Sequence, residues 1–201
     1  MISLPFRRNR ASAASIAGLY GMIVAQARKP AFYQSYGVPD TVEGRLDMIV
    51  LHLVLAMRAL GMRRDMGQAA ASATPAGSKI SQGISQELFD HFCRDIDGNL
   101  REMGIGDLAV PKHMQRAAGT FYGRAEVYGA ALDLGDDAAL EAAIARNVFG
   151  TAEPALGARR LATYMREASR RLGTKNLGTL APAALASAEF DFPDPETITQ
   201  P

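Results

Sequence analysis

FYQSYGVPDTVEGRLDMIVLHLVLAMRAL, residues 32–60, is a turn that feeds a long apolar helix, and its reading decides the fold. Pro39 fixes its own φ and pushes Val38 into extended backbone. Asp40 is then placed to cap a helix, with Glu43 three residues on in a capping-box arrangement. Gly44 sits inside that helix at a cost of about 1 kcal/mol relative to Ala, which a close neighbouring backbone would explain. Further along, Val42, Leu46, Ile49, Val50, Leu53, Met57 and Leu60 form one apolar face, while Met48, Leu51 and Leu55 project from the other side. A helix apolar nearly all round is buried. The run 48–57, with His52 inside it, is therefore expected at the centre of an all-α core; the alternative is a face that waits for a partner.

Outward from this helix no segment alternates as a strand would, so a single compact domain of about six main helices is expected over 11–175. The first, 11–29, carries Ile16, Leu19, Tyr20, Ile23 and Val24 at helical spacing and ends at Pro30. The second stops near Gly61. Segment 63–79, with Gly67, Pro75 and Gly77, reads as a mobile loop. The third helix covers 80–103 and is closed by Gly104. The fourth runs from Pro111, a residue suited to a first turn, to Leu134. Asp136 caps the fifth, which ends at Gly150, and the sixth spans 154–172. Pro182 opens a short further turn. From Asn176 onward there is no basic residue, and Pro193, Pro195 and Pro201 mark 176–201 as a flexible acidic tail.

The composition, 48% hydrophobic and 21% charged over 201 residues, is that of a globular chain. A net charge of +1 argues neither for nor against nucleic acid or membrane. A lone cysteine, Cys93, excludes an intrachain disulfide and fits a reducing compartment. Arg7, Arg8 and Arg10 ahead of the uncharged stretch 11–27 imitate a secretory signal. Ser12, Ser15, Gly18, Gly21 and Gln26 interrupt the apolar part, however, and an amphipathic helix is the better reading. No run reaches the ~18 apolar residues of a membrane span.

No catalytic or metal-binding pattern follows from the spacing. The three histidines, His52, His91 and His113, lie on different segments. His91 and Asp95 share a helix face, but no third ligand follows, so no metal is expected. Asp90, Asp95 and Asp97 are crowded but point to different sides, unlike the aspartates that hold diphosphate-bound magnesium. Cys93 lies mid-helix as an inert thiol. There is neither a nucleophile elbow nor a phosphate-binding glycine loop, so no cofactor and no enzymatic activity are expected. His91, Asp95, Asn99 and Glu102 form a polar column beside the stripe Ile84, Leu88, Phe92, Ile96, Leu100 and must find partners or stay exposed. Asp90 with Arg94 and Asp97 with Arg101 read as ordinary helix pairs. Arg159, Arg166 and Arg170 share a face that suits either RNA or acidic lipid, or simply a solvated surface.

Three blocks carry a family resemblance. The first is QAR (26–28) with Pro30, then FY (32–33) and GVPDTVEGRLDM (37–48). The second is FD (89–90) and RDIDGNLREMGIGD (94–107); the third is VPKHM (110–114) followed by FYGR (121–124). In this order, over roughly 19–172, they resemble the ubiquinol–cytochrome c chaperone family. The match begins inside the first helix, which argues against signal cleavage after Ala27, and the short chain looks like a bacterial-type member.

The resemblance implies a non-enzymatic assembly factor for the respiratory ubiquinol–cytochrome c reductase. Its client would be newly made cytochrome b, a hydrophobic membrane protein. The expected setting is cytoplasmic or peripheral at the inner membrane, in contact with membrane or ribosome, with a second assembly factor as partner and no DNA. No catalytic residue carries over. A membrane-helix client needs an apolar groove with polar rims. Phe32, Tyr33, Val38, Pro39 and Asp40, with Arg45, are the candidates at the aromatic turn. Asp107, Val110 and Pro111, beside Asp95 and Asn99, are the candidates at the connector 104–111. The alternative is that these residues only fix helix packing. The competing functions are a helical carrier or enzyme for an isoprenoid or quinone-like lipid, and a ribosome- or RNA-contacting adaptor.

Overall fold

The computed structural model describes residues 10–61, 75–174 and 190–198, with side chains over 13–61, 83–174 and 190–198. Among these residues the regular structure is helical throughout and there is no strand. The order is α1 (Arg10–Ala27), α2 (Pro30–Gln34), α3 (Val42–Ala59), α4 (Pro75–Glu102), α5 (Val110–Leu134), α6 (Asp137–Ile144), a π-helical turn (Ala145–Phe149) and α7 (Leu156–Thr174).

The centre of the molecule is α3. It packs against α1, α5, α7 and the π turn, and every residue from Met48 to Met57 is buried. Leu51 and Leu55, on the side opposite the main stripe, are 0% and 1% exposed. For the run 48–57 the chain itself covers both faces of α3; at the first turn of the helix Val42 stays exposed. Each large side chain buried here contributes about 1.5–3 kcal/mol. Around this axis α4 lies on α1 and α5, and α6 lies on α5 and α7.

Three corrections apply to the expected helix bounds. The cap of α3 is Thr41, not Asp40: the Gly44 amide donates to Thr41 Oγ1 at 3.1 Å, while Asp40 is held by Arg45 at 2.7 Å. The segment 63–79 is not loop throughout, because α4 begins at Pro75; residues 62–74 lie outside the described residues, as does the expected turn at Pro182. The fifth helix widens into a π turn before its left-handed stop at Gly150. Asp136 does cap α6, accepting from the Ala139 amide at 2.9 Å.

Gly44 has the close neighbour that its place in a helix implied. A Cβ there would lie 2.0 Å from the Pro39 carbonyl oxygen. The turn 36–41 therefore folds flat onto the first turn of α3. Gly157 allows a second approach of this kind, with the Tyr36 carbonyl oxygen 2.2 Å from where its Cβ would stand. The acidic tail expected from residue 176 is described over 190–198, where it lies back on the helices with Phe190 7% exposed.

Candidate functional site

The aromatic turn divides into an inner and an outer layer. Phe32 is fully buried and its ring meets Tyr36, His52 and Tyr164 edge-on at 5.4, 5.3 and 4.9 Å. Val38 is also buried. These two candidates are core residues. Tyr33, Pro39, Asp40 and Arg45 form the outer layer. Tyr33 donates to the Ala27 carbonyl at 2.9 Å, and burial raises its phenol pKa against the lowering effect of Arg45. Asp40 and Arg45 form an exposed pair in which the Arg45 hydrogen bond holds the carboxyl below its usual range. Val42 stands beside them 64% exposed.

The second group of candidates is split in the same way. Asp95 accepts a 2.8 Å hydrogen bond from the Tyr20 hydroxyl, and the His91 ring lies against Tyr20 at 4.8 Å. Burial, then the hydrogen bond to Asp95, pushes the Tyr20 pKa up. The upper half of the polar column thus ties α4 to α1. Its lower half, Asn99 and Glu102, is exposed. Arg101 pairs with Asp97 at 2.8 Å and also with Asp107, anchoring the connector to the end of α4. Val110 is buried and Pro111 exposed. Between them and α4 stand Met103, 56% exposed, and Leu108, fully exposed. The Asp90–Arg94 pair does not form between side chains as expected: Arg94 bonds the Asp90 carbonyl oxygen and Gln86 takes the carboxylate. Both candidate groups attach to α1, through Ala27 and Tyr20, two turns or about 10 Å apart along its axis.

Two constellations escaped sequence reasoning. Arg124 donates to Asp47 at 2.6 Å and to the Asn147 carbonyl at 2.9 Å, with both charged side chains 13–14% exposed. Burial pushes the Asp47 pKa up and Arg124 opposes this. The pair joins α3, α5 and the π turn. The second is a relay through the core. His52 Nδ1–H donates to the Met48 carbonyl at 2.8 Å, which leaves Nε2 to accept from the Tyr164 hydroxyl at 2.8 Å. The Tyr164 oxygen accepts from Gln26 Nε2 at 3.0 Å, and the same amide group donates to the Pro193 carbonyl at 2.8 Å. A histidine inside a ten-residue apolar run was the available signal, because a buried ring needs partners.

This arrangement ties helices together and positions their surfaces. His52 is a buried neutral ring whose pKa burial lowers to about 4. Burial also raises the Cys93 thiol pKa. Among the described residues no three His, Cys, Asp or Glu side chains converge as a metal ion would need. No helix among them is long and apolar enough to cross a membrane.

The sequence profile of the family described as Ubiquinol-cytochrome C chaperone matches residues 34–192. The crystal structure of the Cbp3 homolog from Brucella abortus superposes with a TM-score of 0.74 at 34% identity, covering 96% of each chain. No curated protein sequence matches this one. The profile takes in the turn, α3, the connector and all later helices, so the chain belongs to the ubiquinol-cytochrome C chaperone family.

Proposed function

We propose that this protein is a non-enzymatic assembly chaperone that binds unassembled cytochrome b while the ubiquinol–cytochrome c reductase is built. The observation that carries the reading is the family match over 34–192. The surface fits it. Exposed Val42 sits beside the Asp40–Arg45 pair, and exposed Met103 and Leu108 sit beside Arg101, Asp97 and Asp107. Apolar groups edged by ion pairs suit a membrane-protein segment whose ends are polar. Tyr33, Pro39, Asp40, Arg45, Asp95, Asn99, Asp107 and Pro111 are the proposed rim, with Phe32, Val38 and Val110 supporting it from within. Under this reading the protein works at the cytoplasmic face of the inner membrane, with a second assembly factor as partner.

Among the described residues neither competing function has an observation in its favour. The arginines that could suit RNA, acidic lipid or simply solvent are engaged with carboxylates: Arg166 with Asp137 at 2.6 Å, Arg170 with Glu167 at 2.8 Å, and Arg159 near Glu141 at 3.8 Å, while neighbouring Arg171 also reaches Glu167 at 2.6 Å. The α3 run 48–57 is packed by the chain's own helices.

The test is deletion in a host that makes the reductase. Assembled, haem-containing cytochrome b is expected to fall. Add-back of Tyr33→Ala or Asp95→Ala is expected to reduce client capture more than it lowers the unfolding midpoint. Unchanged cytochrome b in the deletion strain would remove the proposed role.

A further inference from the structure

We propose that the groove formed by the C-terminal end of α1, the turn after α2, α3 and α7 is a binding site for a short aromatic–proline peptide, and that residues 190–198 fill it as an exchangeable occupant. The inference does not depend on the identity of the client.

What the groove recognises is backbone. Gln26 Nε2 donates to the Pro193 carbonyl and the Tyr36 hydroxyl donates to the Pro195 carbonyl, both at 2.8 Å. These contacts ask for a carbonyl at a given place and not for a particular side chain. Proline suits both positions because it has no N–H to strand in a dry interface. Pro193 and Pro195 are both buried. The side-chain contribution is aromatic: Phe192 meets the His52 ring edge-on at 5.2 Å, and Phe190 lies 5.7 Å from Phe192. Lys29 pairs with Asp194 at 3.5 Å, but both side chains are exposed and the pair adds little.

The donors of the groove are also oriented by residues outside the strap. The Gln26 amide is aimed by Tyr164, which is fixed by His52, which is fixed by the Met48 carbonyl of its own helix. Tyr36 is held edge-on by Phe32 and Tyr164. Every member of that relay belongs to the helical core. A site whose donors are oriented in advance binds with less ordering cost. The strap, for its part, holds its own shape through local bonds, Phe192 N–H to the Phe190 carbonyl and Thr197 N–H to the Asp194 carbonyl. It follows α7 after fifteen residues, 175–189, so it competes with any free peptide as a tethered ligand.

The test titrates a fluorescent synthetic peptide of residues 190–198 into the full-length protein and into full-length Phe192→Ala, read by anisotropy. The substitution weakens the tethered strap and leaves the groove intact. The free peptide is expected to bind Phe192→Ala at least ten-fold more tightly than it binds the unaltered protein. Adding Tyr36→Phe is expected to weaken that binding several-fold, since the Pro195 carbonyl loses its donor. Equal affinity for both proteins, or binding to neither, overturns the proposal. So does loss of the helical circular dichroism signal in Phe192→Ala, because the strap would then be inseparable from the core.

Discussion

Acidification is expected to destabilise this protein through His52. The ring is 0% exposed, and its one proton is committed to the Met48 carbonyl. A second proton, on Nε2, would face the Tyr164 oxygen, which already accepts from Gln26 and would have to surrender its own donor role. Burial accordingly lowers the pKa from 6.5 to about 4. An unfolded chain binds the proton near pH 6.5 and the folded one only near pH 4, so in that window the unfolded state holds more protons and stability falls as pH falls. Integrated from pH 7 to pH 5, the loss is about 2 kcal/mol. Urea unfolding at both pH values, on the wild type and on His52→Gln, reads it. Glu167, held down to about 2 by its hydrogen bonds from Arg170 and Arg171, and Asp47, pushed the other way by burial, contribute alike to both proteins and cancel. A wild type whose stability declines no faster with acid than that of His52→Gln would refute the reasoning.

Gly44→Ala is expected to cost about 1–3 kcal/mol by overpacking, although Ala is the better helix former, because the obstructing Pro39 oxygen is main chain and cannot swing aside. A thermal midpoint at or above that of the wild type would contradict this. Leu51→Ala and Leu55→Ala are each expected to cost ~2–5 kcal/mol in urea unfolding, the range for a truncated core leucine. A near-neutral result would mean that this face is covered less well than the packing indicates.

The helices were legible because their signals are local. Period, Pro30, Gly104, Asp136 and Gly150 each act within a turn or two of chain: α1 and α4 end just before Pro30 and Gly104, and α6 with its π turn lies between Asp136 and Gly150. The depth of α3 was legible as well, since apolar residues on all sides leave no face for water. Choices between adjacent groups were not. Asp40 and Thr41 are both good caps, and the decision turned on an Arg45 close enough to take the carboxylate. The depth of the candidate residues was not legible: a motif names positions, not layers, and Phe32 and Val38 lie inside while Tyr33 and Asp40 lie outside. The relay was hidden for a different reason. Gln26, His52 and Tyr164 come from three helices, and no spacing in one dimension announces a meeting in three. The strap was missed because its charge and prolines outweighed Phe190 and Phe192 in the reading of composition.

The burial of α3 on every side has a cost in time. Its partners lie on both sides of it in the chain: α1 is made first, but α5, the π turn and α7 come later. Leu172, at the end of the buried face of α7, is translated more than a hundred residues after Met57. At ordinary synthesis speeds the run 48–57 is therefore out of the ribosome on the order of ten seconds before its cover is complete. During that interval a member of a chaperone family is itself a nascent chain with an unsheltered greasy segment. The order of its helices leaves that segment waiting for cover that is still to be translated.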